Sequence, residues 1–436
     1  MVYVLFISKT LVNQSLIKGL KFKVLEIIPT NLSGEVKIVS SKSLSHRYVL
    51  AAALAHGQSK IDNILDSDDL IATQSALKSL GASINQGLIT GGKVQRVHDT
   101  IDCFESGSTL RFLIPVAMLQ DKPVTFTGKN QLPFRTQEMY ENLFKETYQF
   151  EHPTDKWLPL TVSGPLKGGT YHLRGDVSSQ FITGLLYALP LAPNDSEIIL
   201  TSHLESVGYV DMTLDVLDKF GIKIIKTSNG YKIPGNQHYN PGNYRVEGDF
   251  SGAAFFVAAG LLAGPIHLTN LNHHSLQGDK EIIDLAIKMG GDITPTSEGY
   301  LVKPSRLKGI SIDVGQIPDL GPILMVLGAL AEGTTIIHNA SRLRIKESDR
   351  LNAMVTNLQA LGANIKEIGD TVEIKGVSRL IGGTLVSSYK DHRIAMSMAI
   401  ASIMCEQPIT LDDETVVSKS YPNFFESFKA LGGQVK

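Results

Sequence analysis

Basic side chains stand in the polar stretches that precede long apolar runs: Lys42 and Arg47 in SSKSLSHR (40–47), Arg111 in ESGSTLR (105–111) and Arg393 in YKDHR (389–393). An apolar run after Ser, Asp or Gly reads as a helix following its N-cap, and a helix N-terminus carries unpaired N–H groups and partial positive charge. A cation there is unfavourable by ~0.3 to 1 kcal/mol unless an anion compensates, so the arrangement asks for a phosphate or carboxylate ligand. Three similar starts, VSSQF (177–181), GDFSG (248–252) and QIPDLG (316–321), offer Ser and Asp without a cation. For GDFSG and for Asp319 plain capping is the simpler reading. Two further basic sites are LPFRTQE, with Arg135, and RIKESDR, with Lys346 and Arg350. The second reads equally well as an ion-pair cluster at a helix start. Together these residues suit a small, multiply anionic ligand.

The elements that must position them come from an internal repeat. A helix ending in a large apolar residue plus Gly recurs at Gly81, Gly221, Gly290, Gly362 and Gly432, with separations of 140, 69, 72 and 70 residues. Gly at C′ explains each stop. The double gap predicts one more unit near residue 150, where NLFKETYQF is a degenerate copy without the Gly. A second, nearly all-apolar helix has the same period, with copies starting at Tyr48, Leu110, Phe181, Ala253, Ile323 and Ile394. A helix apolar all round must be buried, whereas the Leu-Gly helices are one-sided, as Leu351, Met354, Val355, Leu358 and Leu361 show. Alternating segments such as DTVEIKG and NGYKIPG read as half-buried strands. The expected architecture is α/β, six β-α-β-α-β-β units, three in each of two domains, with buried helices inside and sheets outside.

Composition narrows the functional classes. At 436 residues the chain exceeds one ordinary core, so two domains are expected. Lys plus Arg (41) against Asp plus Glu (43) leaves a net charge of -2, which argues against a nucleic-acid binder relying on broad positive charge. The longest apolar runs, such as 253–264, fall short of the ~20 residues of a membrane span. Cys103 and Cys405 are the only cysteines and have no metal-ligand spacing, so neither a disulfide framework nor a metal site is expected and the cytoplasm is the expected compartment. Residues 1–23 fit a secretory signal poorly and read as an extension with no assigned role.

SKSLSHR, GSTLR, SSQF, GDFSGAA, IPD, KESDRL, YKDHR and SKSYPNFF occur, in that order, between about residue 25 and the C-terminus. In these motifs and their spacing the chain resembles the enolpyruvyl transferase family, on the branch that uses shikimate 3-phosphate. The resemblance implies two domains of three split units, the chain starting in one, crossing before Lys42 and returning near Gly248. That gives residues 1–41 with 248–436 as one domain and 42–247 as the other, with the active site in the cleft between them. It implies transfer of the enolpyruvyl group of phosphoenolpyruvate to the 5-hydroxyl of shikimate 3-phosphate, with release of phosphate and without metal or cofactor, in the shikimate pathway to chorismate and the aromatic amino acids. The implied partners are these two small molecules, with the protein a monomer.

Residue by residue, the resemblance places Lys42, Gly107, Arg135, Gln180, Arg350, Arg393 and Lys419 against phosphoenolpyruvate, with Arg111 supporting that loop. It places Ser43, Arg47, Ser178, Ser179, Gln180, Ser206, Tyr209, Asp319 and Lys346 against shikimate 3-phosphate. Such anions favour bidentate guanidinium partners, and the ring hydroxyls favour Ser, Tyr and amide groups. Addition followed by elimination needs a base for the 5-hydroxyl and an acid for the methylene carbon. Asp319 matches the family's base and Glu347 its proton donor, with Lys42 a second candidate. Gly107 matches a glycine whose lack of a side chain implies sensitivity to glyphosate. Glu105, Ser108, Gln316, Arg342 and Lys390 depart from the commonest pattern, and Arg342 is given no role.

The sister transferase acting on UDP-N-acetylglucosamine usually carries a Cys in a loop after the second buried helix, and here no Cys lies between Cys103 and Cys405. Asp319, Glu347 and Lys42 argue against a relative that only binds anions. His273, His274 and Trp157 read as loop and packing residues.

Overall fold

The computed structural model describes residues 24–436. The extension at residues 1–23 lies outside the described residues. Six apolar helices form: α1 (Lys42–Leu54), α3 (Gly107–Ala117), α5 (Ser179–Ala188), α7 (Phe250–Leu262), α9 (Gly321–Ala329) and α11 (His392–Ser402). Nearly every residue in them is buried, as sequences without a polar face require. The one-sided helices alternate with them: α2 (Asp68–Ser79), α4 (Glu138–Phe144), α6 (Val207–Lys219), α8 (Glu281–Lys288), α10 (Arg350–Ala360) and α12 (Phe424–Ala430). The glycines following five of these, Gly81, Gly221, Gly290, Gly362 and Gly432, have φ of 103°, 80°, 97°, 90° and 101°. A side chain resists that left-handed backbone, so glycine ends the helix.

Of six four-stranded sheets, four have the chain order first-second-fourth-third, and the other two match it once a strand from a distant segment is counted at the place it fills. In one of them Thr100–Asp102 runs parallel to Val124–Thr127, which pairs antiparallel with Leu160–Ser163, which pairs antiparallel with Gln149–Glu151. The expectation of six repeats holds with one correction, because three sheets borrow a strand from a distant segment. Asn243–Arg245 completes the sheet of the α1–α2 unit, Gly34–Lys37 that of the α7–α8 unit, and Leu25–Ile28 that of the C-terminal unit. The buried apolar side chains form two clusters, one from residues 25–38 and 250–431, the other from residues 44–246. The segments joining them touch: Ser40 bridges Gly248, Ser41 N–H donates to Glu247 O (2.8 Å) and Asp249 N–H to Val39 O (2.8 Å).

Among the described residues no helix is long and apolar enough to cross a membrane, and no group of three or more His, Cys, Asp or Glu could hold a metal ion.

Candidate active site

A cleft of about 750 Å³ opens between the two clusters, at the N-termini of the buried helices. From α1 it receives Lys42, Ser43 and Arg47, from α3 Gly107, Ser108 and Arg111, and from the start of α5 Ser178, Ser179 and Gln180. Arg135, Ser206 and Tyr209 complete that side, and Asp319, Lys346 and Glu347 face them from the other. Arg350, Arg393 and Lys419, which the resemblance also places against ligand, sit behind its lining: Arg350 and Arg393 pair with Asp319, and Lys419 Nζ lies 3.5 Å from Glu105 Oε2.

Side-chain caps fix the first turns. Ser41, Ser106, Ser178, Asp249 and Asp391 accept N–H bonds at the starts of α1, α3, α5, α7 and α11. Asp319 does not cap, contrary to the simplest reading of QIPDLG: it lies in a 3-10 turn (Pro318–Leu320) before α9 and turns its carboxylate toward cations. Its Oδ1 accepts from Arg350 Nη1 (2.8 Å), with Lys346 Nζ at 3.4 Å, and its Oδ2 accepts from Arg393 Nη2 (3.0 Å) and the Tyr209 hydroxyl (3.0 Å). Burial pushes this carboxyl up, but Arg393, Lys346 and Arg350 outweigh it and hold it well below the usual carboxylate range.

Glu347 follows the same logic. Its Oε2 accepts from Arg350 Nη2 (2.7 Å) and its Oε1 lies 3.8 Å from Arg135 Nη1. Burial raises its pKa, yet Arg350, Arg135 and Lys419 hold it well below the usual range. Arg350 is thus shared by three carboxylates, its Nε donating to Asp391 Oδ2 (2.8 Å), and it is 1% exposed.

The helix-start cations divide into two kinds. Lys42 finds a protein anion, Asp69 Oδ2 at 3.1 Å, and Arg393 finds Asp319. For these two the demand for a compensating anion is met inside the protein, which corrects the expectation that a ligand alone meets it. Arg47 and Arg111 have no carboxylate within ion-pair distance among the described residues. Arg47 donates to Thr213 Oγ1 (2.9 Å), Ser43 O (2.8 Å) and Tyr209 O (2.8 Å). Arg111 donates to Gln180 Oε1 (2.8 Å) and Thr136 O (3.0 Å), beside Arg135. Burial lowers both guanidinium groups, Arg111 to about 9, so each gains from an incoming anion. Pro115 in α3 has no N–H, so the Arg111 carbonyl four residues earlier is left free and accepts from the Tyr140 hydroxyl at 2.8 Å.

Asp69, Asp391 and His392 escaped the sequence reading as participants. Asp391 was visible only as a cap, and Asp69 carried no signal because its partner lies 27 residues away. His392 is buried with neither ring nitrogen hydrogen-bonded, and burial, reinforced by Lys42 and Arg393, holds it neutral, well below its ordinary value.

The chain can now be placed among known proteins. The family model described as EPSP synthase (3-phosphoshikimate 1-carboxyvinyltransferase) matches residues 27–428. Proteins named 3-phosphoshikimate 1-carboxyvinyltransferase from Clostridium novyi and Clostridium acetobutylicum are each 48% identical, over 94% of this chain and 97% of theirs. An EPSP synthase structure from Acinetobacter baumannii superposes with a TM-score of 0.80 at 26% identity, covering 95% of this chain and 99% of that one. The enolpyruvyl transferase NikO from Streptomyces tendae, at 18% identity and a TM-score of 0.78 over 95% of this chain and 98% of its own, shares the fold. With a model spanning nearly all of the described residues and almost half the sequence shared with curated relatives, the chain belongs to the EPSP synthase (3-phosphoshikimate 1-carboxyvinyltransferase) family.

Proposed function

We propose that the cleft transfers the enolpyruvyl group of phosphoenolpyruvate to the 5-hydroxyl of shikimate 3-phosphate, and that residues 1–41 with 248–436 and residues 42–247 are the two domains that form it. The observation carrying this reading is the meeting in one cleft of two cation-held carboxylates, Asp319 and Glu347, with buried guanidinium groups lacking an anion. In the addition step the 5-hydroxyl oxygen bonds to C2 of phosphoenolpyruvate, its proton passes to Asp319, and C3 becomes a methyl group by taking a proton from Glu347, whose carboxyl gains one as substrate anions draw Arg350 and Arg135 away, or from the Lys42 ammonium. In the elimination step the C2–O bond to phosphate breaks, a methyl proton returns to the group that supplied it, the C2–C3 double bond reforms, and the proton held by Asp319 leaves with the departing phosphate. Lys42, Gly107, Arg135, Gln180, Arg350, Arg393 and Lys419 serve phosphoenolpyruvate. Ser43, Arg47, Ser178, Ser179, Ser206, Tyr209 and Lys346 serve shikimate 3-phosphate. Arg350 has all three nitrogens engaged, so it meets substrate only by trading a carboxylate for it. The protein acts as a cytoplasmic monomer.

Phosphate release from phosphoenolpyruvate, measured with shikimate 3-phosphate and separately with UDP-N-acetylglucosamine, tests the reading. Release with the first alone supports it, and release with the second alone, or with neither, refutes it.

Two predictions attach to single residues. A Cβ at Gly107 would lie 2.7 Å from Arg135 Nη1 and 3.0 Å from its Cζ. Gly107→Ala therefore displaces that guanidinium, and KM for phosphoenolpyruvate should rise about tenfold, equivalent to ~1.4 kcal/mol, with KM for shikimate 3-phosphate little changed. Lys346 has its ammonium lowered to about 8 by burial, against the opposing pull of Asp319. The ammonium is the form that attracts phosphate, so affinity is full below pH 8 and falls as pH rises through it. Between pH 7 and pH 9, KM for shikimate 3-phosphate should rise about tenfold, the ratio of ammonium fractions across that window, and Lys346→Arg should flatten the profile because guanidinium does not titrate there.

A further inference from the structure

Arg342 stands in the 3-10 turn Ser341–Ile345, 8% exposed, and lines the cleft one turn before Lys346. Its Nη1 is fully committed, donating to Ser206 Oγ (2.8 Å) and Gly315 O (3.0 Å), with Glu205 Oε2 at 3.0 Å. Ser206 is set for this contact: it occupies the left-handed region at φ 56° ahead of α6, and its side chain does not cap that helix. The other edge of the guanidinium is open. Nε is buried without a hydrogen-bond partner, and Nη2 makes no hydrogen bond among the described residues. The Nε–H and the adjacent Nη2–H point the same way, and that edge is the one that grips a phosphate or carboxylate through two parallel bonds. A donor pair left open at a ligand cleft, its Nε buried and without a partner, on a guanidinium already clamped by its third nitrogen, is a receptor formed before its ligand arrives.

We infer that Arg342 is a specificity-determining residue whose Nε–Nη2 edge receives the phosphoryl group of the acceptor substrate bidentately, alongside the Lys346 ammonium and the Ser206 hydroxyl. The inference rests on the reading of the cleft given above and adds which side chain distinguishes a phosphorylated from an unphosphorylated acceptor. The second cation fits this role, since Arg342 and Lys346 repel each other and a phosphate dianion between them turns that repulsion into attraction.

The test compares wild type, Arg342→Lys and Arg342→Gln. Calorimetry gives Kd for shikimate 3-phosphate, and competition against it gives Ki for shikimate, which lacks the phosphoryl group and reads the ring contacts alone. Arg342→Lys keeps a charge but loses the fork, and should raise Kd for shikimate 3-phosphate at least tenfold while Ki for shikimate and KM for phosphoenolpyruvate stay within twofold. Arg342→Gln should lose more in the same direction, and if it fails to fold the Lys variant carries the test alone. A parallel loss for both acceptors would mean that Arg342 only joins Ser206 to Gly315, and no loss for either would mean that the open edge binds nothing; each result overturns the inference. Failure of the wild type to release phosphate with shikimate 3-phosphate would instead overturn the reading of the cleft.

Discussion

Asp319→Asn is expected to lower turnover by at least ~100-fold while leaving shikimate 3-phosphate bound, as removal of a general base does. The argument turns on charge. Arg350, Arg393 and Lys346 crowd the carboxylate and make it a weak base. Phosphoenolpyruvate and shikimate 3-phosphate bring phosphate and carboxylate groups that draw on the same cations. As those cations turn to the substrates, their hold on Asp319 loosens and its affinity for a proton rises, so the base gains strength when the 5-hydroxyl is in place. Asn preserves the shape and can still accept from Tyr209, but it takes no proton. It also leaves the three cations with one anion fewer, so substrate anions should bind as well as before or better. The measurements are kcat from phosphate release and Kd for shikimate 3-phosphate by calorimetry. Near-normal turnover would remove Asp319 from the role, and a collapse of binding would make its role structural.

Much of this architecture is legible in the sequence because it is locally encoded. Gly at C′ marks five of the one-sided helices, and all-apolar composition marks the six buried ones. Both signals sit within a few residues and depend on backbone and solvent rather than on distant partners. The borrowed strands Asn243–Arg245, Gly34–Lys37 and Leu25–Ile28 were not legible as members of their sheets, since three or four residues carry no register information by themselves. The site divides in the same way. Cations and caps at helix starts could be read, but the choice between capping and cation binding at Asp319 could not, because it depends on Arg350 and Arg393, 31 and 74 residues away. The pairing of Lys42 with Asp69 and of Arg342 with Glu205 belongs to the same class, in which helix N-termini from remote units are brought to one cleft.

Arg350→Met should strongly destabilise the fold, with ΔG of unfolding reduced by about 3–5 kcal/mol at neutral pH, the usual cost of removing one partner from a buried ion pair. Arg350 opens α10 and is 1% exposed; Asp391 beside it is fully buried, and Glu347 and Asp319 share the remaining nitrogens. Met fills the volume and leaves all three carboxylates without their common donor. The pH dependence follows from the direction in which Glu347 and Asp319 are shifted. Both are held below their unfolded value, so in the wild type their contribution is present above about pH 4 and is lost only as pH falls through the lower folded values. In the variant burial is less opposed and these carboxyls move up, so protonation relieves them under mildly acidic conditions. Denaturant titrations of both proteins at pH 7.5 and pH 5 should therefore show the gap between them narrowing toward acid. Arg350→Lys should fall between the two, because one ammonium carries the charge but cannot span three carboxylates. A gap of equal size at both pH values would assign the effect of Arg350 to packing and remove the shared charge as its cause.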